Sequence, residues 1–335
     1  DYCTVTSLLG NDKNEVVGAT VVDYKTGEFY VIRSKAVVLA TGGGASLWGP
    51  GSVGPANGGG ACHLTGDGHA MAAKFGVEFR DMEFRSLNVG GVKLAGSTLS
   101  YTTVLALPER MIYDKNGKKI LADIPKEQFT NRRIFYELEK AKVEKRLSPN
   151  DGYYARAAYF GSWVSAATAG DKNSDNKPQL ARGFFSDHWQ DFLRVWEQNG
   201  LDFSKAECMS FSTYDYGGIV SNEKGETGVG GLYAIGECSM HSGAGYLSLR
   251  MFSSAMAMGK RVGEAVAARA KQIPFSMFKP ADVKKEYIRV MNLLDAKSAR
   301  PVRVKNVKRR IQKAAWLGCG DWRSEKKCKA ALAEL

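Results

Sequence analysis

The sequence predicts an α/β fold in which one sheet-containing domain is interrupted by a long insertion and followed by a helical tail. Three observations predict it. Two apolar runs end in glycine, Lys35-Ala36-Val37-Val38-Leu39-Ala40 before Thr41-Gly42-Gly43-Gly44 and Leu232-Tyr233-Ala234-Ile235 before Gly236-Glu237, and they stand far apart in the chain. Between them, from residue 85 to 213, the regular exchange of strand and helix patterns is lost. Glycine, 37 of 335 residues, exceeds its usual share of about 7%. The excess gathers in short turns after apolar runs, where a missing Cβ lets backbone approach a ligand.

Composition sets the outer limits. A length of 335 residues at roughly 150 per domain gives two domains. With 44% hydrophobic and 24% charged residues the balance is globular, and no apolar run approaches the ~20 residues of a membrane-spanning helix. A disordered chain and a transmembrane segment are therefore not expected. The net charge of +12 is concentrated at the end, where residues 279–335 hold 16 Lys/Arg against 6 Asp/Glu. Such a segment serves nucleic acid, an acidic partner or an anionic substrate, or is a solvated helical face. Nucleic acid ranks last, because no interleaved aromatics or recognisable module accompany the charge. Six scattered cysteines without a CxxC pair encode neither an iron–sulfur cluster nor a zinc site, so no metal is expected. A reduced, cytoplasmic setting is the default for such a chain.

The elements follow in order. Residues 2–9 read as a strand that begins with no initiator Met and no signal or transit pattern. Residues 16–24 and 29–33 alternate as strands around the turn Lys25-Thr26-Gly27-Glu28, giving a hairpin or meander. The continuous run at 35–40 predicts a strand buried on both faces of a parallel sheet. Residues 45–64, rich in Gly, Pro and Asn, predict a loop. Thr65-Gly66-Asp67-Gly68 then heads a helix over 69–75 that Gly76 stops, with Thr65 or Asp67 as its cap. The middle stretch mixes strand pieces at 102–107 and 110–113, a turn at Asp114-Lys115-Asn116-Gly117, and helices near 131–146 and 186–199. The first style returns with Gly217-Gly218-Ile219-Val220, a turn at 222–225 and the second apolar run. A small-residue helix over 252–271 follows, whose Gly259 and Gly263 allow close backbone packing, and the chain from Pro280 is helical and basic.

Val37-Val38-Leu39-Ala40-Thr41-Gly42-Gly43, then Thr65-Gly66-Asp67-Gly68-His69-Ala70-Met71-Ala72 with Asp81-Met82-Glu83-Phe84, then Gly217-Gly218-Ile219 with Gly231-Leu232-Tyr233-Ala234-Ile235-Gly236-Glu237, stand in a shared order. In that order they resemble the flavoprotein subunits of fumarate reductase and succinate dehydrogenase, over residues 1 to about 270. Leu47-Trp48-Gly49-Pro50-Gly51-Ser52-Val53-Gly54, the stretch from Trp189 to Trp196, and Phe252-Ser253-Ser254 look closer to the adenylylsulfate reductase α subunit of the same superfamily. The resemblance implies a split Rossmann-like FAD-binding domain at 1–84 and 214–272, an inserted α+β capping domain at 85–213, and a basic helical C-terminal segment at 273–335. It also implies FAD as cofactor. Ala40, Thr41, Gly42 and Gly43 would lie along its adenosine side. Thr65, Gly66, Asp67 and Gly68 would meet ribityl or adenosine polar groups, and Glu237 would accept from ribityl or ribose hydroxyls. Ser253 and Ser254, at the start of the next helix, would face flavin oxygens.

The chain also departs from those relatives. The GxGxxG turn that receives the pyrophosphate has no match upstream of residue 41, so the chain is a fragment or a companion supplies the N-terminal FAD-binding segment. The two substrate-side histidines are replaced by Leu87-Asn88-Val89-Gly90 and by Thr213, and the carboxylate-clamping Arg by Tyr246. What remains after Glu237 is His241, Tyr246 and Arg250, where an Arg holds an anion and a Tyr or His moves a proton. The expected activity is that of an FAD-dependent oxidoreductase exchanging hydride with a small polar anion. Its electrons would pass to or from a partner, an iron–sulfur or other electron-transfer subunit. An adenylylsulfate reductase-like subunit and a non-catalytic flavoprotein relative are the alternatives.

Overall fold

The computed structural model describes residues 2–47, 64–91, 207–239, 248–294, 302–320 and 323–335. In the middle stretch it also describes 114, 116, 118, 120, 124–125, 133, 136–137, 140–141, 144–146, 148–150, 154–159 and 198. The chain divides into two compact units, one of 1–45, 64–86 and 214–307, the other of 46–63, 87–213 and 308–335.

The first unit opens with a meander. β1 (Cys3–Gly10), β2 (Val16–Asp23) and β3 (Phe29–Arg33) pair antiparallel in the order β1-β2-β3. The turn between β2 and β3 closes on Asp23, whose carboxylate accepts from the N–H groups of Lys25 at 2.7 Å and Thr26 at 3.2 Å. Gly27 completes it at φ 76°, a conformation open to a residue without a Cβ. β2 is the buried strand, with Val16 and Thr20 fully covered, and the Thr20 hydroxyl meets that of Thr6 at 2.8 Å. A buried hydroxyl without such a partner would be costly.

β4 (Val37–Leu39) is shorter than the apolar run predicts and is buried on one face only. Leu39 is 3% exposed and Val38 38% exposed. The reason is the small sheet. Among the described residues β4 has one neighbour, the strand Leu232–Ala234, and nothing is packed against the Val38 side closely enough to cover it. α1 (Asp67–Ala73) and β5 (Phe79–Arg80) follow, with Gly76 at φ 78° ending the helical turns as expected. The cap differs from expectation. Gly66, at φ 72°, is the N-cap and no side chain caps it, because the Thr65 hydroxyl donates to the Asp67 carboxylate instead.

The chain then enters the stretch carrying β6 (Arg85–Gly91), β7 (Ser148–Asn150), β8 (Tyr154–Tyr159) and β9 (Glu207–Asp215), a four-stranded sheet of order β6-β9-β8-β7. The expected turn at Asp114 is present: its carboxylate accepts from the N–H groups of Asn116 at 2.9 Å and Lys118 at 3.0 Å. Residues 133, 136–137 and 140–141 are helical, as the sequence predicts, but 144–145 form a turn with Lys145 at φ 57°, so the helix ends short of the expected 146. The strand pieces expected at 102–107 and 110–113 lie outside the described residues.

Back in the first unit, β10 (Gly218–Ile219) pairs antiparallel with β5, and β11 (Leu232–Ala234) pairs parallel with β4 in the register Leu232–Val37, Tyr233–Val38, Ala234–Leu39. The turn before β11 is built by Asn222, whose side-chain oxygen accepts from the N–H groups of Lys224 at 2.9 Å and Glu226 at 3.0 Å. Ile219, Leu232, Ala234, Leu39, Met71, Ala72 and Val16 share one core. α2 (Ser248–Gln272) begins four residues earlier than its apolar pattern predicts, and Lys35 donates to the Ala270 carbonyl at 2.6 Å near its C-terminal end, where a cation is favoured. Among the described residues Gly259 and Gly263 do not mediate close packing, since none lies within 4 Å of the place of a Cβ on either. The close approach on this helix belongs to Val262, whose methyl group occupies the place of a Cβ on Gly225.

α3 (Pro280–Leu294) is held to β1 through Glu286. α4 (Val304–Cys319) and α5 (Glu325–Glu334) end the chain, α5 capped by the Ser324 hydroxyl accepting from the Lys327 N–H at 3.3 Å. Among the described residues no helix is long and apolar enough to cross a membrane.

Candidate functional site

The site lies at the end of the β4–β11 pair, where two glycine-bearing turns leave the sheet side by side. Parallel pairing continues one step past the strands, the Ile235 N–H donating to the Leu39 carbonyl at 2.9 Å. Gly42 then turns at φ 68° and Gly236 at φ 67°. Both turns need a left-handed residue, so glycine is demanded by backbone sterics on each.

These two turns face one another. The place of a Cβ on Gly42 is 3.8 Å from a carboxylate oxygen of Glu237 and 2.7 Å from a Leu64 methyl group. Glu237 is half-buried and sits in a single 3-10 turn, Gly236–Cys238, beyond the end of β11 rather than at the end of the strand as the sequence predicts. The neighbouring Cys238 is fully buried, and its thiol donates to the Leu39 carbonyl at 3.0 Å and the Ile235 carbonyl at 3.2 Å. Burial pushes that thiol above its ordinary range, with hydrogen bonds to Thr41 and Ile235 opposing.

The third segment arrives from α1. Thr41 packs its hydroxyl and methyl into the space a Cβ on Gly68 would need, which puts the start of α1 against the end of β4. Thr65, Gly66 and Asp67 are carried alongside, with Asp67 exposed and Thr65 half-buried. The fourth segment is α2. Ala255 comes within 3.9 Å of the place of a Cβ on Gly236, which sets Ser253 and Ser254 beside the Glu237 turn. These serines lie in the second turn of α2 and not at its start, because the helix extends back to Ser248, and their own N–H groups are past the free donors of the first turn.

Thus Thr41 to Gly43, Thr65 to Gly68, Glu237 and Ser253–Ser254 are gathered at one end of the sheet. His241 and Tyr246 lie outside the described residues. Arg250 is in the first turn of α2, with its side chain outside the description. Sequence reasoning did not single out Cys238 or Leu64. The first sits beside Glu237 in an apolar context, and the second is one apolar residue at the end of a polar loop. His69 is buried and tilted against the Phe79 ring with centroids 6.2 Å apart, consistent with a packing role. Among the described residues no cluster of His, Cys, Asp or Glu is placed to hold a metal ion.

The residues present fit an adenine-dinucleotide cofactor. Gly42 to Gly44 carry no Cβ between their backbone and a ligand, while the Glu237 and Asp67 carboxylates and the Thr65 hydroxyl offer partners to sugar hydroxyls. Fold and site together define an α/β protein built to bind a flavin dinucleotide. The chain matches the FAD binding domain family over residues 2–249 and belongs to that family. It is similar to an uncharacterized FAD-dependent oxidoreductase of Methanocaldococcus jannaschii, 25% identical over 96% of this chain and 54% of that protein. It is also similar to the fumarate reductase flavoprotein subunit of Escherichia coli, 28% identical over 77% of this chain and 42% of that one. The solved structure of Mycobacterium smegmatis Sdh1 in complex with UQ1 has the same fold, with a TM-score of 0.74 and 23% identity over 99% of this chain and 52% of that chain. The chain spans about half the length of the curated relatives it matches.

Proposed function

We propose that this chain belongs to an FAD-dependent oxidoreductase that exchanges hydride with a small, polar, anionic substrate and trades electrons with a partner protein. One observation carries the reading: Gly42 and Glu237 face each other at the end of the β4–β11 pair, with Thr41 set against Gly68. The similarity to the fumarate reductase flavoprotein subunit supports the same reading.

When bound, FAD supplies a carrier able to accept or give up a hydride. The residues of this chain have separate duties. Ala40 to Gly43 run along the adenosine side, where Gly42 and Gly43 present bare backbone. The Glu237 and Asp67 carboxylates accept from sugar hydroxyls and fix orientation, and Thr65 to Gly68 and Ser253–Ser254 supply further polar groups. On the substrate side, Arg250 holds the anion, and Tyr246 or His241 moves the proton that accompanies hydride transfer. The inserted stretch at 85–213 has the part of a capping domain, whose duty in hydride chemistry is to exclude water. The basic tail docks an acidic electron-transfer partner.

The test is the visible spectrum of the full-length protein, followed by a screen of anionic acceptors with a reduced viologen dye. Oxidised-flavin bands that disappear in Gly42→Val, together with dye oxidation that depends on one acceptor and is lost in Arg250→Ala, are the expected results. A colourless protein that leaves added FAD fluorescence unquenched overturns the cofactor assignment. A yellow protein that turns over no acceptor overturns the enzymatic one.

A further inference from the structure

The end of the chain carries a thiol pair. α4 and α5 pack tightly at Gly318, where the place of a Cβ is 2.5 Å from the Ala331 methyl and 3.7 Å from the Cys328 Cα. Glycine at 318 is what lets the two helices close to this distance. The Cys328 thiol donates to the Gly318 carbonyl at 3.1 Å. That carbonyl belongs to the peptide unit leading into Cys319, the last residue of α4. In a planar trans peptide the carbonyl oxygen and the following Cα are about 2.8 Å apart, so the Cys328 sulfur lies no more than about 6 Å from the Cys319 Cα. A disulfide holds its two Cα atoms about 4.4–6.8 Å apart, so a sulfur within this upper limit of the other residue's Cα can close the bond once both side chains rotate toward each other. Cys319 is exposed, Cys328 is half-buried, and both are free thiols.

We propose that Cys319 and Cys328 form a redox-modifiable pair, closed to a disulfide by a small-molecule disulfide such as oxidised glutathione. The exposed Cys319 thiolate attacks one sulfur of glutathione disulfide, forming a mixed disulfide and releasing one glutathione thiolate, which takes up the proton. The Cys328 thiolate then attacks the Cys319 sulfur, the bond to glutathione breaks, and the second glutathione leaves. Two protein thiols are oxidised by two electrons and one glutathione disulfide is reduced to two glutathione molecules. Geometry sets this order, since Cys319 is open to the reagent and Cys328 is held beside its backbone. The bond would fasten α5, and with it the basic C-terminus, to the end of α4. The Arg310–Glu334 ion pair, 3.1 Å between Nε and Oε1, already joins the middle of α4 to the last residue of α5.

The experiment incubates the full-length protein with oxidised glutathione and maps unreduced peptides by mass spectrometry. A peptide pair cross-linked between 319 and 328 in the wild type, together with a stable glutathione adduct on Cys319 in Cys328→Ser, is the expected result. In a titration across glutathione redox ratios, the wild type should show a cross-link that forms in one two-electron transition, absent from Cys319→Ser and Cys328→Ser. A wild type that keeps glutathione on Cys319 without cross-linking, or that pairs either cysteine with Cys3, Cys62, Cys208 or Cys238, overturns the proposal. So does failure of Cys319 to react at all while the protein remains folded by circular dichroism.

Discussion

The side chain of Thr41 occupies the space that a Cβ on Gly68 would take, locking the end of β4 to the first turn of α1. This contact explains why glycine stands inside a helix, where on intrinsic preference alanine would be better by roughly 0.5–1 kcal/mol. Gly68→Ala therefore sets propensity against packing, and packing wins. We expect a loss of about 1–3 kcal/mol, the usual cost of forcing extra volume into a packed site, and a matching drop in thermal midpoint. Because the two residues touch, Thr41→Ala combined with Gly68→Ala should be less destabilised than the sum of the single changes. Purely additive effects would show that the contact is not what requires glycine.

Two other glycines give opposite signs. Gly263 lies in α2 with no described residue within 4 Å of the place of a Cβ, so Gly263→Ala should stabilise by roughly 0.5–1 kcal/mol. Gly231 is at φ 76° with the Val16 carbonyl where its Cβ would be, and its own carbonyl accepts from the Val37 N–H at 2.8 Å. Gly231→Ala should cost more than about 1 kcal/mol, because the conflict is with backbone that cannot rotate away. Urea unfolding of both variants checks the pair.

Glu286 makes stability pH-dependent. Its carboxyl is held below the ordinary 4.5 first by the hydrogen bond from Arg289, at 2.6 and 2.8 Å, then by Thr6 and the charge of Lys74, while burial works in the opposite direction. A depressed folded value means the unfolded state binds the proton more readily. The contribution is therefore complete above the unfolded value and is lost as pH falls through the folded one. Glu286→Gln should flatten the fall in thermal midpoint below about pH 4.5 while changing its slope little near pH 7. An unchanged acid limb in the variant would contradict this.

Thiol labelling should divide the cysteines. Cys238 is fully buried and its thiol is pushed up by burial, so iodoacetamide at pH 8 should modify it only on unfolding. Cys3 and Cys319 are exposed and should label within minutes in the native protein. Peptide mapping after timed alkylation reads the difference. Rapid native labelling of Cys238 would mean that the turn after β11 opens readily.

Much of the site was legible because its parts are local patterns. Apolar runs closing in glycine, a TGDG helix start and a carboxylate after the second run are short-range signals whose chemistry follows from backbone sterics and helix ends. Their meeting was expected only through the resemblance to known flavoproteins. Individual details were less readable. The first cap is Gly66 because the Thr65 hydroxyl finds Asp67, a choice between two hydrogen bonds that spacing does not rank. Val38 is exposed because the burial of a strand depends on neighbours that its own residues do not encode.

By itself the sequence determined the opening meander, the helix that follows Asp67, the two glycine turns and the polar residues available to a cofactor, since these rest on dihedral sterics and on periodicity within a few residues. Only tertiary structure decided that Val37 runs beside Leu232, that Gly42 faces Glu237, and that Val262 rather than Gly259 or Gly263 makes the close contact of α2. Those relations join residues distant along the chain. They are selected by which pairing buries the most apolar surface without stranding a backbone polar group, a property of the whole packed unit.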